Sequence, residues 1–534
     1  MFDLLITNAK IIDGTGSDAF PGSIAVSKGK IVKIFPPTEA AEAARVLDAE
    51  GQFVTPGFID IHQHGDAAVF RPDYGEIQVR QGVTTTINGN CGLSIVPCPA
   101  IWKKDIFSYL RPIVGSLPEG RQFETFSDYI AALKSERLPI NFGMNIGNGT
   151  LRMASKGFES GSVDRAERKE IQEYLMDALQ NGAFGVSMGI AYMPENQYDV
   201  DGFVQVLEPI RNSGIPLVTH IRGEGDLLLK ALEEVIEVAK RLNVPLHVSH
   251  LKCVGRHNWT RLLGQALELL DRSRANGMTI TCDVYPWEAG STQLIQLLPP
   301  SYLEGGVEKT TERLRDPVLR EKCKKILQTK QTSFENLLPA IGWESIMITT
   351  VHNPENLKYI GMRISEIAQL QNKDPFDCAF DLLVDEKCNV SMVNFIACEK
   401  DIETILKYPF SSVISDSIYA EGGIPHPRQY GNFTKLLCEY VRDKDVLALP
   451  QAIRKITGAP AEVLSIDGKG RISPGYDADL AIFDLARLKS NATYTDPRQF
   501  GTGFRYVLVN GEIANDNDRF LHTGSGKVLQ RGRS

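Results

Sequence analysis

Along the first 55 residues, apolar positions come in short runs broken by turn residues. Leu4–Asn8, Ser23–Ser27 and Ile31–Phe35 are separated by Asp-Gly-Thr-Gly and Lys-Gly-Lys, a spacing that predicts strands. From Thr55 the rhythm changes. Wholly apolar runs now alternate with longer stretches in which apolar residues recur at helical spacing, the pattern of βα units around a parallel sheet. The runs predict strands over Gly57–Ile61, Thr84–Asn88, Ile140–Ile146, Phe184–Met188, Pro216–His220, Pro245–His250, Met278–Val284 and Ser411–Ser415. Eight such strands suit a closed (β/α)8 barrel of the TIM type. Asp226–Arg241 reads as a helix with an acidic-to-basic gradient that matches the helix dipole, and Ala166–Gln180 and Trp259–Asn276 are similar.

Between the seventh and eighth strands lies an excess of about 125 residues, far more than a βα connection needs. Its charged helical part, Val307–Lys330, and two strand-like runs, Ser345–Thr350 and Val390–Phe395, read as an insertion over the barrel mouth, about residues 286–400. After Asp467 the short-strand rhythm returns in Gly470–Asp484 and Tyr506–Ala514, the second with an Asn-Gly turn. The expected architecture is α/β: a barrel over 56–465, and a small β-sandwich domain built by both chain ends, 1–55 and 466–534.

Charge narrows the partners. The net charge is −8, and the only basic cluster is the tail of Lys527, Arg531 and Arg533, which excludes nucleic acid as the main partner. No apolar run approaches the ~20 residues of a bilayer span, and the first residues lack the basic region of a signal peptide, so no membrane partner is expected. Nine scattered cysteines without a CxxC pair read as reduced thiols, and the expected location is cytoplasmic. Nothing in the sequence sets an oligomeric state.

The chemistry gathers at strand ends. His62 and His64 close Pro56-Gly-Phe-Ile-Asp-Ile-His-Gln-His, His220 ends Pro216-Leu-Val-Thr-His, and His250 ends Leu246-His-Val-Ser-His. Residues i and i+2 of a strand point to one side, so His62 and His64 can converge on one ion. Cys91, in Gly89-Asn-Cys-Gly92, and Asp416, in Val413-Ile-Ser-Asp416, end two further strands. Strand C-termini form the catalytic face of this barrel, and zinc takes nitrogen, sulfur and oxygen ligands of these kinds. His247, His257 and His352 read as ordinary core or surface histidines.

These residues, with Thr-His, Ser-His and Ser-Asp in that order and Gly470-Arg-Ile-Ser-Pro-Gly-Tyr-Asp-Ala-Asp-Leu-Ala-Ile-Phe-Asp484 beyond them, resemble the amidohydrolase superfamily. Gly89–Gly92, Thr219–Gly225 (THIRGEG), Ser249–Lys252 (SHLK), Asp283–Pro286 (DVYP) and His426–Phe433 (HPRQYGNF) are similar to the N-acyl-D-amino-acid deacylases. The resemblance implies a tight zinc held by Cys91, His220 and His250. His62, His64 and Asp416 would surround a second, weaker position. It implies hydrolysis of N-acyl-D-amino acids, small-molecule substrates, to a carboxylic acid and a free D-amino acid. Zinc would lower the pKa of the attacking water, and Asp416 would act as general base and then acid. Lys252, Tyr285 and Arg428 would grip the substrate carboxylate. Tyr192 would polarise the carbonyl, and Arg222 with Glu224 would form a pair beside His220 that orients ligands.

The rival branch, of hydantoinase and dihydroorotase type, bridges its metals with a carboxylated lysine from the fourth strand, and Ala183–Gly189 contains no lysine. The same residues would also suit an amidohydrolase acting on a cyclic amide, a different N-acyl amide or a D-residue dipeptide. A barrel without catalysis predicts lost ligands, and all six are present. Two departures from the deacylase pattern, Asn148 in place of a histidine and Ser417 after Asp416, are expected to touch the mouth and bear on substrate choice. The insertion shows no cationic cluster at a strand end, which favours neutral or apolar substrate side chains over acidic ones.

Overall fold

The computed structural model describes residues 1–37, 39 and 41–532. Eight parallel strand positions run in sequence order. Phe58–Asp60 pairs with Val83–Asn88, which pairs with Asn141–Met144. The third strand breaks at Asn145 and resumes as Ile146–Gly147, which carries the ladder to Val186–Gly189. Leu217–His220, Leu246–Val248, Ile280–Val284 and Ser411–Val413 follow, each parallel to its predecessor. A parallel bridge between Gln63 and Ser417 closes the ring, with Asp416 N–H donating to the His62 carbonyl at 2.9 Å. The sheet is therefore a barrel, as the eight apolar runs predict.

Strands in such a barrel are buried on both faces, which is why they read as unbroken rather than alternating runs. Thr84, Thr85 and Thr86 are all fully buried. Ile59, Ile61, Ile87, Phe184, Val218 and Ile414 share one apolar cluster, drawn from five of the eight strand positions of the ring. Outside, Leu228–Leu242 buries Leu228, Ala231, Leu232, Val235, Val238, Ala239 and Leu242, the stripe its helical spacing predicts. It ends at Asn243 in a left-handed conformation, with Lys240 and Arg241 in the last turn.

Most observed strands are a residue or two shorter than their apolar runs, and the sixth and eighth lose their C-terminal ends. The sixth stops at Val248 and the eighth at Val413, because His250 and Asp416 turn out of the ladder with φ of +35° and +50°. The insertion holds its own apolar core and a three-stranded antiparallel sheet, with Ser391–Phe395 between Ala289–Gln293 and Ile346–Thr350. Its helical part is two helices, Gly306–Arg315 and Pro317–Leu327, split where Asp316 caps the second through the N–H groups of Val318 and Leu319.

The chain ends hydrogen-bond into one nine-stranded sheet. Ile6, Ile24, Ile31, Val54, Leu480, Ile482 and Leu508 pack into a single cluster. A sheet this wide reaches one cluster only by folding over itself, and Ile31 exchanges backbone hydrogen bonds with Gly475 and Tyr476 across the fold.

Candidate active site

The turn after the second barrel strand is built for close approach. Gly89, Cys91 and Gly92 have φ of +70°, +55° and +71°. A Cβ on Gly89 would lie 2.4 Å from the Asn145 carbonyl oxygen, and one on Gly92 would lie 2.2 Å from Glu195 Oε2 and 2.6 Å from the Gly189 nitrogen. Asn90 Nδ2 donates to the carbonyls of Ile61, Gln63 and Ile87, which ties the turn to the first strand. Gly92→Ala is expected to cost about 2 kcal/mol or more, because a left-handed backbone and a backbone clash act together. The midpoint of denaturant unfolding measures it.

The turn delivers Cys91 Sγ to 3.2 Å from His62 Nε2 and 3.5 Å from His250 Nε2. His220 Nδ1 lies 3.0 Å from His250 Nε2. On the other side, Asp416 Oδ1 is 3.5 Å from His62 Nε2 and 3.3 Å from His64 Nε2. Three donor groups result: His62, Cys91 and His250; His62, His64 and Asp416; and His220, Glu224 and His250, with the donor atoms in each within 4.8 Å of one another. Cys91, His250 and Asp416 all sit in the left-handed region. Such strain in non-glycine residues clusters where function holds a side chain in place.

The donors fit zinc. At its usual Zn–N and Zn–S lengths, tetrahedral ligands lie roughly 3.3–3.6 Å apart, close to the spacings among Cys91, His62, His220 and His250. Electrostatics agree. Burial pushes the Cys91 thiol up, yet the His62 charge and hydrogen bonds from His220, His250 and His62 hold it well below the usual thiol range. Burial likewise raises the Asp416 carboxyl, but Arg428, His64 and His62 together hold it well below the usual carboxylate range.

Residues 45–514 match the model of the Amidohydrolase family. The chain belongs to that family. It is 29% identical to a D-aminoacylase of Alcaligenes xylosoxydans xylosoxydans, over 99% of this chain and 98% of that protein. It is 30% identical to an N-acyl-D-glutamate deacylase of the same organism, over 100% of this chain and 97% of the other. A solved N-acyl-D-glutamate deacylase from Bordetella bronchiseptica, in complex with zinc and a phosphonate mimic of the tetrahedral intermediate, superposes with a TM-score of 0.82 at 28% identity, each chain covered to 99%. Within the amidohydrolases this chain stands with the N-acyl-D-amino-acid deacylases. The observed fourth strand, Val186–Gly189, holds no lysine, and Cys91 lies between His62 and His250.

Further residues of this amidohydrolase orient the donors. Glu224 Oε1 accepts from Lys252 Nζ at 2.6 Å and lies 3.1 Å from His250 Nδ1, so it faces the ring nitrogen turned away from Cys91. The expected pairing of Arg222 with Glu224 does not form. Arg222 instead donates to both oxygens of Glu234 at 2.8–3.1 Å and to the carbonyls of Asn196 and Tyr198. Glu234 lies on the following helix and meets Arg222 with a fork of matching geometry, whereas Lys252 takes Glu224.

Arg428 Nη2 is 2.9 Å from Asp416 Oδ2, and its guanidinium lies over the Tyr285 ring at 4.6 Å. Its Nε and Nη1 are buried without a partner. Tyr192 Oη is 3.3 Å from His220 Nδ1. Tyr192, Lys252 and Tyr285 line a cavity of about 230 Å³ above the donors, together with His64, Cys91, His220, His250 and Asp416.

Two buried histidines outside the expected site support it. His247 Nε2 is 2.8 Å from Asp283 Oδ2, which is 3.6 Å from His62 Nδ1, while Asp283 Oδ1 accepts from His250 N–H. His426 takes the Arg428 N–H at Nδ1 and meets the Ala289 carbonyl through Nε2 at 2.9 Å. The departures Asn148 and Ser417 do not line the cavity, contrary to expectation. Asn148 is fully buried behind the Cys91 turn, donating to Glu195 Oε1 at 2.8 Å, and Ser417 Oγ pairs with Ser415 Oγ.

Proposed function

We propose that this amidohydrolase is a zinc-dependent N-acyl-D-amino-acid deacylase, hydrolysing a linear amide to a carboxylic acid and a free D-amino acid. The observation that carries this reading is the convergence of Cys91, His62, His64, His220, His250 and Asp416 on one end of the barrel, with the thiol between two imidazoles. Cys91, His220 and His250 hold the tight zinc, and His62, His64 and Asp416 complete the weaker position. The bound ion supplies a Lewis acid and lowers the pKa of water.

The chain supplies the rest. The Asp416 carboxylate is kept ionised by Arg428 and the histidines, so it is ready to take the proton of the attacking water. Collapse then returns that proton to the leaving nitrogen, which departs as the amine of the D-amino acid. Tyr192, against His220 at the cavity wall, offers its hydroxyl to the amide carbonyl oxygen. The unpaired Nε and Nη1 of Arg428 are donors for the substrate carboxylate, with Tyr285 and Lys252 beside them. The partner is thus a small molecule. No helix among the described residues is long and apolar enough to cross a membrane.

A panel of N-acetyl-D- and N-acetyl-L-amino acids plus hydantoin, offered to zinc-loaded protein, tests the reading. Turnover confined to D-isomers is expected. Hydrolysis of hydantoin with none of any N-acetyl-D-amino acid would overturn it.

A further inference from the structure

The segment between the seventh and eighth barrel strands contributes much of the cavity wall. Leu297, Leu298, Leu303, Phe334, Leu337 and Met392 come from it and are apolar, and its other lining residues apart from Glu335 are uncharged, Gln296 and Asn394 among them. Each cation along the cavity is already engaged. Arg222 is held by Glu234 and two carbonyls, and Lys252 by Glu224. Arg428, adjoining the site, is paired with Asp416 through Nη2, and its remaining Nε and Nη1 are the donors given above to the substrate's α-carboxylate.

The same segment brings a carboxylate to the cavity. Glu335 Oε2 accepts the N–H groups of Gly225 at 3.0 Å and Leu227 at 3.2 Å, in the loop that follows His220. Lys330 ties the same stretch to that loop through Asp226 at 2.6 Å. Glu335 is therefore fixed rather than free to swing out. Among the described residues no lysine or arginine is paired with it. Its carboxyl is raised above the usual range, chiefly by burial, with the Leu227, Gly225 and Asp226 N–H groups lowering it and the Asp226 charge raising it.

We propose that the D-amino-acid side chain of the substrate is neutral and apolar, and that Glu335 is the residue that excludes acidic side chains. This rests on the deacylase reading above and narrows it. With a small acyl group the amino-acid side chain is the larger group to be housed, and this segment offers it leucines, Phe334 and Met392 beside the neutral polar Gln296 and Asn394. An aspartyl or glutamyl side chain there would lose water, find no cation beyond those that hold the α-carboxylate, and meet a fixed like charge. Specificity of this kind needs a repulsive element as well as an attractive one, and Glu335 provides it. A like charge within a few ångströms in a partly desolvated pocket costs a factor of roughly 100 in binding.

The test compares kcat/KM of the zinc-loaded wild-type enzyme and Glu335→Gln on N-acetyl-D-leucine, -methionine, -phenylalanine, -lysine, -aspartate and -glutamate. Glutamine keeps an acceptor for the Gly225 and Leu227 N–H groups and removes the charge. In the wild type the three neutral substrates are expected to exceed the acidic two by about 100-fold. In Glu335→Gln the ratio of glutamate to leucine derivative is expected to rise at least roughly tenfold, a readout that partial loss of folded protein does not move. A wild-type preference for an acidic or a lysine derivative overturns the side-chain assignment and leaves the deacylase reading standing. A ratio unmoved by Glu335→Gln overturns the role of Glu335. No turnover of any of the six overturns the deacylase reading and this inference with it.

Discussion

Cys91→Ala is expected to lose the tightly bound zinc and, with it, activity by roughly 10³-fold or more, since the ion's charge stabilisation supplies several kcal/mol to the transition state. The thiol is 3.2–3.5 Å from two imidazole nitrogens, and its low pKa makes it an anion when the site assembles. Removing it takes away the anionic ligand that the fourth strand, lacking a lysine, does not replace. Alanine keeps the backbone demand for a left-handed residue and leaves Gly89 and Gly92 in place, so the fold is expected to survive. Metal analysis of the purified variant, alongside its thermal unfolding, is the check. Full zinc and full activity in a folded Cys91→Ala protein would return this thiol to the status of the eight other free cysteines.

The cluster of candidate metal donors is legible in the sequence because its logic is local. Each donor ends an apolar run, and the barrel brings every such end to one face. What the sequence hides is the choice of partner for each side chain. Arg222 and Glu224 are two residues apart, which makes them look like a pair. The true partners, Glu234 and Lys252, come from a helix and from the next barrel strand's end, and distance along the chain does not rank them. His247 faces the same difficulty: it reads as an ordinary core histidine until the ladder, which pairs it with Thr281, brings its ring to Asp283 two residues further along the next strand.

The fold shows the same division. The barrel strands are visible as apolar runs. Ala289–Gln293, Ala-Gly-Ser-Thr-Gln, is not, because it has neither alternation nor β-branched bulk and becomes a strand only against Ser391–Phe395. Ala43–Asp48, an edge strand with exposed Val46, escapes the pattern for a related reason. The misplacement of Asn148 has a different origin. Its loop follows a barrel strand, but the strand breaks at Asn145, so Asn148 begins a helix packed behind the Cys91 turn.

Asp416→Asn separates chemistry from metal binding. Activity is expected to fall by about 10⁴-fold, the upper end of what a positioned general base and acid contributes, because in the proposed mechanism one carboxylate serves both proton transfers. Asparagine is nearly isosteric and can still accept from Arg428 Nη2, which donates to Oδ2 across 2.9 Å, and the main-chain bond from residue 416 N–H to the His62 carbonyl is untouched. The tight zinc is expected to remain, since Cys91, His220 and His250 are unchanged, while the weaker position loses an anionic ligand and is expected to bind metal less well. A titration of activity and metal content against added zinc reads both effects at once. Retention of one tightly held zinc with activity down by orders of magnitude identifies Asp416 as the proton-transfer group. Loss of all metal would instead make its main role ligation, and activity within tenfold of the wild type would mean that another group moves the proton. The same Arg428 that steadies Asp416 keeps Nε and Nη1 unpaired, so a substrate carboxylate docking there would bring the scissile amide beside the base through a single guanidinium.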